Sequence, residues 1–185
     1  MSSFNRVQHW LTFTRQWHIL NAKWQDPHLL GEKIARYVSG AHKPFYHPES
    51  DCGDHVIVYN CKEVAMRAFD WKRTEYRFDN QFPKGRANLP AWEIHQSDPC
   101  RIVWMTTYYA LRWPWREYRY RDMEHLHLFP DENVPAELLK NVSNQLEQVM
   151  RMPKPIDDYS QQERSQIPAI FDLPATYAKD DGTKK

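Results

Sequence analysis

Glycine is scarce in this chain, with 5 residues in 185 against 13 prolines. That ratio excludes flexible glycine linkers and favours rigid turns and extended segments. Neither GxGxxG nor GxxxxGKS/T occurs, so no glycine-rich cradle for nucleotide phosphates is indicated. Cysteine is also rare. Cys52, Cys61 and Cys100 are too few and too irregularly spaced for a disulfide framework, and they fit a reducing or intracellular compartment. No apolar run approaches the roughly 20 residues that cross a bilayer, so no membrane span is expected. Acids are missing from the first 25 residues, where Arg6, Arg15 and Lys23 sit among Ser, Thr and aromatic residues. That composition suits a mitochondrial targeting segment and lacks the central apolar block of a secretory signal. It suits a basic arm over residues 1–16 equally well.

What is present bounds the rest. A hydrophobic fraction of 41% in 185 residues supports one domain with a real core and some length left for arms. The net charge of +1 is unevenly spread. Residues 1–121 hold 18 Lys+Arg against 12 Asp+Glu, a net +6, while residues 122–185 hold 7 against 12, a net −5. A basic portion of this kind either meets a polyanion or is simply a solvated surface.

Trp17–Leu20 reads as a strand and leads into the turn-prone KWQDPH. Leu30, Ile34, Tyr37 and Val38 then recur at helical spacing, with Gly40 as the stop. Val56–Tyr59 is continuously apolar, as in a parallel strand covered on both faces. Trp71–Phe78 alternates like an exposed strand. Asp98 followed by Pro99 is an N-cap with proline at the first helical position, opening a helix with the stripe Ile102, Val103, Thr106, Tyr109 and Ala110. Strands alternating with helices predict an α/β domain, placed at residues 17–129. Residues 130–185 form an acidic C-terminal extension. Its first part predicts an amphipathic helix with Val134, Leu138, Leu139, Val142, Leu146 and Val149 inward. Ser160 and Glu163 have capping-box spacing for one short helical turn, and a proline-spaced extended tail follows.

Two constellations could carry chemistry. Residues 43–60, KPFYHPESDCGDHVIVYN, bring together acids, a thiol and imidazoles. His47, Asp51, Cys52 and His55 would be the working groups of a small hydrolase or metalloenzyme. A zinc site wants two short-spaced ligand pairs, and only Cys52 with His55 makes an imperfect one. The plainer reading is turn chemistry, Ser50–Asp54 delivering a buried strand. Glu124, His125 and His127 admit the same two readings, metal pair or half-exposed strand. The second constellation, RWPWREYRYR at 112–121, interleaves four arginines with two tryptophans and two tyrosines. Guanidinium forks pair with phosphates and aromatic faces stack on bases, so an RNA contact and a packed core with solvated arginines are both open.

Residues 40–64 resemble the signature of the universal large-subunit ribosomal protein L-thirteen family, G-K-x-K-x-x-Y-x-P-x-x-D-x-G-D-x-V-x-V-x-N. Gly40, Lys43, Tyr46, Pro48, Asp51, Gly53, Asp54, Val56, Val58 and Asn60 fall on it in register. Trp17 upstream, Leu30-Gly31 with Ile34-Ala35, Lys72 and Tyr76, and Pro83 with Gly85 also match. The H-K-P, S-D-C-G-D-H and L-H-L-F-P-D-E stretches and the C-terminal extension are similar to the mitochondrial form. One departure stands out: where the family has G-M-L-P-K-x, this chain reads Ala110-Leu111-Arg112-Trp113-Pro114-Trp115.

The resemblance implies a three-layer α/β/α domain with a mainly parallel central sheet. It implies a structural constituent of the mitochondrial large ribosomal subunit, in the mitochondrial matrix, that binds large-subunit rRNA and supports assembly and translation. No catalysis, cofactor or metal is implied. The rRNA-binding residues expected are Lys43, Tyr46, Lys72, Arg73, Lys84, Arg86, Arg112, Arg116, Arg119 and Arg121. Neighbouring large-subunit proteins are expected to meet the chain chiefly through its extension. The alternatives are the small hydrolase or metalloenzyme and an RNA-binding factor outside the ribosome.

Overall fold

Trp17–Asn21 forms β1, with His18 and Leu20 buried on one face and Trp17, Ile19 and Asn21 half-buried on the other. Beside it runs β2, His55–Tyr59, whose Val56, Ile57 and Val58 are all buried. The two pair in parallel from Trp17↔His55 to Asn21↔Tyr59. The computed structural model describes residues 14–111, 118–152 and 159–166. It divides into two compact units, residues 1–151 and 152–185.

In chain order the helices are α1 (Pro27–Val38), α2 (Asp70–Arg73), α3 (Ala91–Ser97), α4 (Pro99–Ala110), α5 (Arg119–Met123), α6 (Ala136–Leu139) and α7 (Gln161–Gln166). The other strands are β3 (Glu75–Asp79), β4 (Arg86–Pro90), β5 (Leu126–Leu128) and β6 (Asn144–Gln145). The main sheet has the order β5-β2-β1-β6, and every pairing in it is parallel. A separate antiparallel hairpin joins β3 and β4. The chain is therefore an α/β protein with a parallel central sheet.

The two long helices begin with the same local grammar. Asp26 accepts from the His28 N–H at 2.9 Å ahead of Pro27, and Asp98 accepts from the Cys100 N–H at 3.0 Å ahead of Pro99. Each aspartate satisfies an orphan donor of the first turn, and each proline fills a position with no intrahelical N–H bond to lose. Leu30, Ile34 and Val38 of α1 then meet Leu20, Val56 and Val58 of the sheet and Val103 of α4 in one core. A second core, Tyr76, Ala91, Ile94, Ile102 and Met105, seats the base of the hairpin against α3 and α4. Of the three layers expected, these contacts define the sheet and one helical layer.

Two expectations change in the structure. The helix expected over 134–149 is replaced by the four-residue α6 and the two-residue β6. The Ser143 N–H bonds to the Trp17 carbonyl at 3.0 Å and the Leu146 N–H to the Ile19 carbonyl at 2.8 Å. The free edge of β1 thus captures the segment, and Asn141, Ser143 and Asn144 offer weak helical resistance. Leu146 still points into the core, but Leu139 and Val149 are exposed. Trp71–Phe78 is not one strand, because Thr74 separates α2 from β3. The capping box at Ser160 forms in the second unit, with the Glu163 N–H on the Ser160 hydroxyl at 3.3 Å and the Ser160 N–H on the Glu163 carboxylate at 3.0 Å. The proline-spaced tail beyond it lies outside the described residues.

α1 crosses α4 at Gly31, where a Cβ would sit 2.9 Å from the Thr106 carbonyl carbon and 3.0 Å from the Thr107 nitrogen. Backbone cannot rotate away, so Gly31→Ala should destabilise by about 1–3 kcal/mol through overpacking, despite alanine's better helix propensity. Urea unfolding checks this, and an unchanged or raised midpoint would contradict the crossing.

Candidate functional site

The segment between α1 and β2 folds back around one side chain, Asp54, which is fully buried. Its Oδ1 accepts from the Gln16 N–H at 2.9 Å and from the Lys43 ammonium at 2.5 Å. Its Oδ2 lies 3.2 Å from His18 Nε2 and 3.0 Å from His42 Nε2. The same ammonium donates to the Thr14 carbonyl at 3.2 Å and the Cys52 carbonyl at 2.8 Å. Burial alone would push the Asp54 carboxyl up. The hydrogen bonds from His18, Lys43 and Gln16, with the Lys43 charge, outweigh it and hold the carboxyl down at about 2. Asp54 is therefore an anion at neutral pH, neutralised inside the chain.

Neighbouring contacts tie the rest of the loop. Arg15 pairs with Asp51 at 2.5 Å, and Asp51 also lies 3.6 Å from His125. Arg121 donates to the Glu49 carbonyl at 2.9 Å and the Pro48 carbonyl at 3.1 Å, while holding Asp122 at 3.1 Å. Behind the loop, Trp17 stacks on His55 at 4.1 Å and on His127 at 5.2 Å, and His127 Nε2 lies 3.3 Å from His55 Nδ1. Burial is the main reason His55 is depressed to about 4, with His125, His127 and Arg15 adding to it. His125, expected half-exposed, is buried.

This arrangement does not assemble the hydrolase considered for the loop. His47 is exposed and accepts from the Glu49 N–H, Cys52 is buried, Asp51 is held by Arg15, and His55 lies in the aromatic stack. Among the described residues no hydrogen bond joins Cys52 to either histidine. His18, His42 and Asp54 do bring three ligand atoms within 4.8 Å of one another. The Lys43 ammonium already neutralises that carboxylate, so a dication there would face a positive charge.

The cations expected to bind RNA divide into groups. Lys43 and Arg121 have their donors engaged within the chain. Arg119 is buried, with its guanidinium 4.3 Å above the Tyr108 ring. Lys72, Arg73, Lys84 and Arg86 are exposed on α2 and the hairpin, and among the described residues only Arg86 of these has an ion pair, at 3.1 Å to Asp79. Tyr46 is half-buried and lines a cavity of about 420 Å³ with Arg36, Pro48 and Asp122. Arg112 and Arg116 lie outside the described residues. Sequence reasoning missed Arg67 and Arg77, both exposed in the same basic region, and the His18 and His42 contacts to Asp54. The alternation of Arg77 with buried Tyr76 was the available signal for the first.

Set against known proteins, the profile of the family described as ribosomal protein L13 matches residues 15–135. The chain is 36% identical over 177 residues to the Drosophila melanogaster protein named large ribosomal subunit protein uL13m, covering 96% of this chain and 98% of that protein. It is 32% identical over 90 residues to large ribosomal subunit protein uL13 of Coprothermobacter proteolyticus, which is 49% of this chain and 63% of that protein. It is 35% identical over 91 residues to the protein of the same name from Thermobifida fusca, which is 48% of this chain and 60% of that one.

Lys43→Met should cost about 3–5 kcal/mol, since it leaves a buried carboxylate without its cation. Acid should act in two stages. His55 is depressed from 6.5 to about 4, so the unfolded chain takes up its proton first and stability falls as pH drops through that window. Asp54, depressed from 3.8 to about 2, adds a second loss below pH 4. His125 and His127 are lowered by burial too, so urea titrations across pH should show the first stage reduced, not removed, in His55→Gln, and a flat profile in the wild type between pH 6.5 and 4 would contradict it.

Proposed function

Because this chain belongs to the ribosomal protein L13 family, we propose that it is a structural constituent of the large subunit of the mitochondrial ribosome. The observation that carries the reading is the length of the match. Likeness to the Drosophila uL13m runs over 96% of the chain, whereas likeness to the bacterial uL13 proteins stops near half of it. The chain works in the mitochondrial matrix, binds large-subunit rRNA and supports subunit assembly and translation. No catalytic step enters this role. Among the described residues no helix is long and apolar enough to cross a membrane.

The contacts follow from which cations remain exposed. Lys72, Arg73, Lys84 and Arg86 meet phosphates, helped by Arg67 and Arg77. Arg112 and Arg116 are assigned to rRNA contact from sequence alone. Lys43 and Arg121 support the rRNA-facing loop from within, and Tyr46 lies on that loop. The acidic excess of residues 122–185, a net −5, disfavours phosphate contact. The C-terminal extension, residues 130–185, with 7 Lys+Arg against 10 Asp+Glu, therefore meets neighbouring proteins of the subunit.

The test is salt dependence. Each phosphate contact removed should lower the slope of log affinity against log salt by roughly 0.7–0.9. Lys72→Ala, Arg73→Ala, Lys84→Ala and Arg86→Ala should each weaken binding to large-subunit rRNA and flatten that slope without loss of fold. A fourfold variant that binds with the wild-type slope would exclude this surface as the rRNA contact.

A further inference from the structure

The hairpin carries one feature that phosphate binding does not use. Phe82, at the tip between β3 and β4, is 73% exposed and has no ring partner among the described residues. A single exposed apolar side chain is ordinary on a protein surface. This one is held in a tightly specified loop. The Gln81 N–H bonds to the Asp79 carboxylate at 2.9 Å, and the Phe82 N–H bonds to the Asn80 side-chain oxygen at 3.1 Å. The loop is closed by Asn80 N–H to the Gly85 carbonyl at 3.1 Å and Gly85 N–H to the Phe82 carbonyl at 2.9 Å. A Cβ at Gly85 would fall 1.5 Å from the Asn80 side-chain oxygen, so any larger residue there displaces the side chain that caps the loop. Gln81 and Lys84 adopt left-handed backbone with φ of 66° and 65°.

The base of the hairpin is anchored as firmly. Tyr76 is buried, and Phe78 and Leu89 pack on the core formed with α3 and α4. The phenyl ring is thus presented on a fixed stalk, with little ordering entropy left to lose on contact. Around it the charge is positive. Residues 67–86 hold six cations, Arg67, Lys72, Arg73, Arg77, Lys84 and Arg86, against three acids, Asp70, Glu75 and Asp79.

We propose that Phe82 stacks on an unpaired base of RNA, with Lys84 and Arg86 on the flanking phosphates. This rests on the rRNA-binding role proposed above and adds the kind of nucleotide the tip meets. A protein partner fits the site less well, since protein interfaces cluster apolar area and deplete lysine, and this ring stands among cations. A-form duplex offers no base face to a protruding ring, because its major groove is deep and narrow and its bases are stacked. Unpaired bases stack on aromatic side chains whatever their identity.

Two measurements test it. Ultraviolet cross-linking of native large subunits should place a nucleotide adduct on the peptide containing Phe82. The isolated full chain should bind a labelled oligouridylate about tenfold or more weakly after Phe82→Ala. The salt slope should stay as in the wild type, because no charge is lost, and Phe82→Trp should restore affinity. If the chain is in the subunit and cross-links elsewhere but not at Phe82, stacking is wrong and the rRNA role stands. If Phe82→Ala binds oligouridylate like the wild type, or Phe82→Trp fails to rescue, stacking is likewise wrong. A chain that is absent from large subunits overturns both.

Discussion

The carboxylate of Asp54 is the constraint on which the rest of this structure depends. A fully buried anion must be neutralised and hydrogen-bonded, and here four groups from three parts of the chain do it. Gln16 and His18 come from the entry to β1 and the strand itself, His42 and Lys43 from the loop after α1. Satisfying one side chain therefore brings α1, its following loop and the two central strands into a single register. Buried ion pairs are weak evidence for net stability, since desolvation offsets much of the attraction. Their force lies in the alternatives they exclude. Any other path for residues 40–53 would strand the charge, so the loop that sequence alone leaves open to an active-site reading is fixed as architecture.

That constraint also sorts the positive charges. Cations near Asp54 and the loop are used up in holding the domain together, as the Lys43 and Arg121 contacts show. Cations on α2 and the hairpin lie beyond the reach of that network and stay exposed. Lys43 holds Asp54 in place, while Lys72, Arg73, Lys84 and Arg86 lie exposed, Arg86 in an ion pair with Asp79. Phe82 at the hairpin tip extends the same surface with a neutral contact.

Much of this was legible in the sequence, for physical reasons that differ by element. The run Val56–Tyr59 has no polar member to place outward, so a strand covered on both faces is the natural solution. Asp98-Pro99 marks a helix start by its chemistry, and Asp26-Pro27 carries the same signal inside a stretch that reads as a turn. The stripe from Val134 to Val149 misled because helical spacing says nothing about a strand edge waiting to be paired. Only the tertiary contact of Ser143 and Leu146 with β1 decides it. The candidate surface was legible as a set of basic residue types, not as a division of labour. Which lysine is buried against Asp54 and which faces water is a property of packing, and no spacing rule carries it.

The central claim is that this chain is built into the large subunit through rRNA contacts. Sedimentation of the native mitochondrial protein through a gradient after a high-salt wash tests it most directly. The account predicts that the chain remains with large subunits under washing that strips loosely associated factors. Recovery of the chain in the soluble fraction, with intact large subunits free of it, would contradict the account.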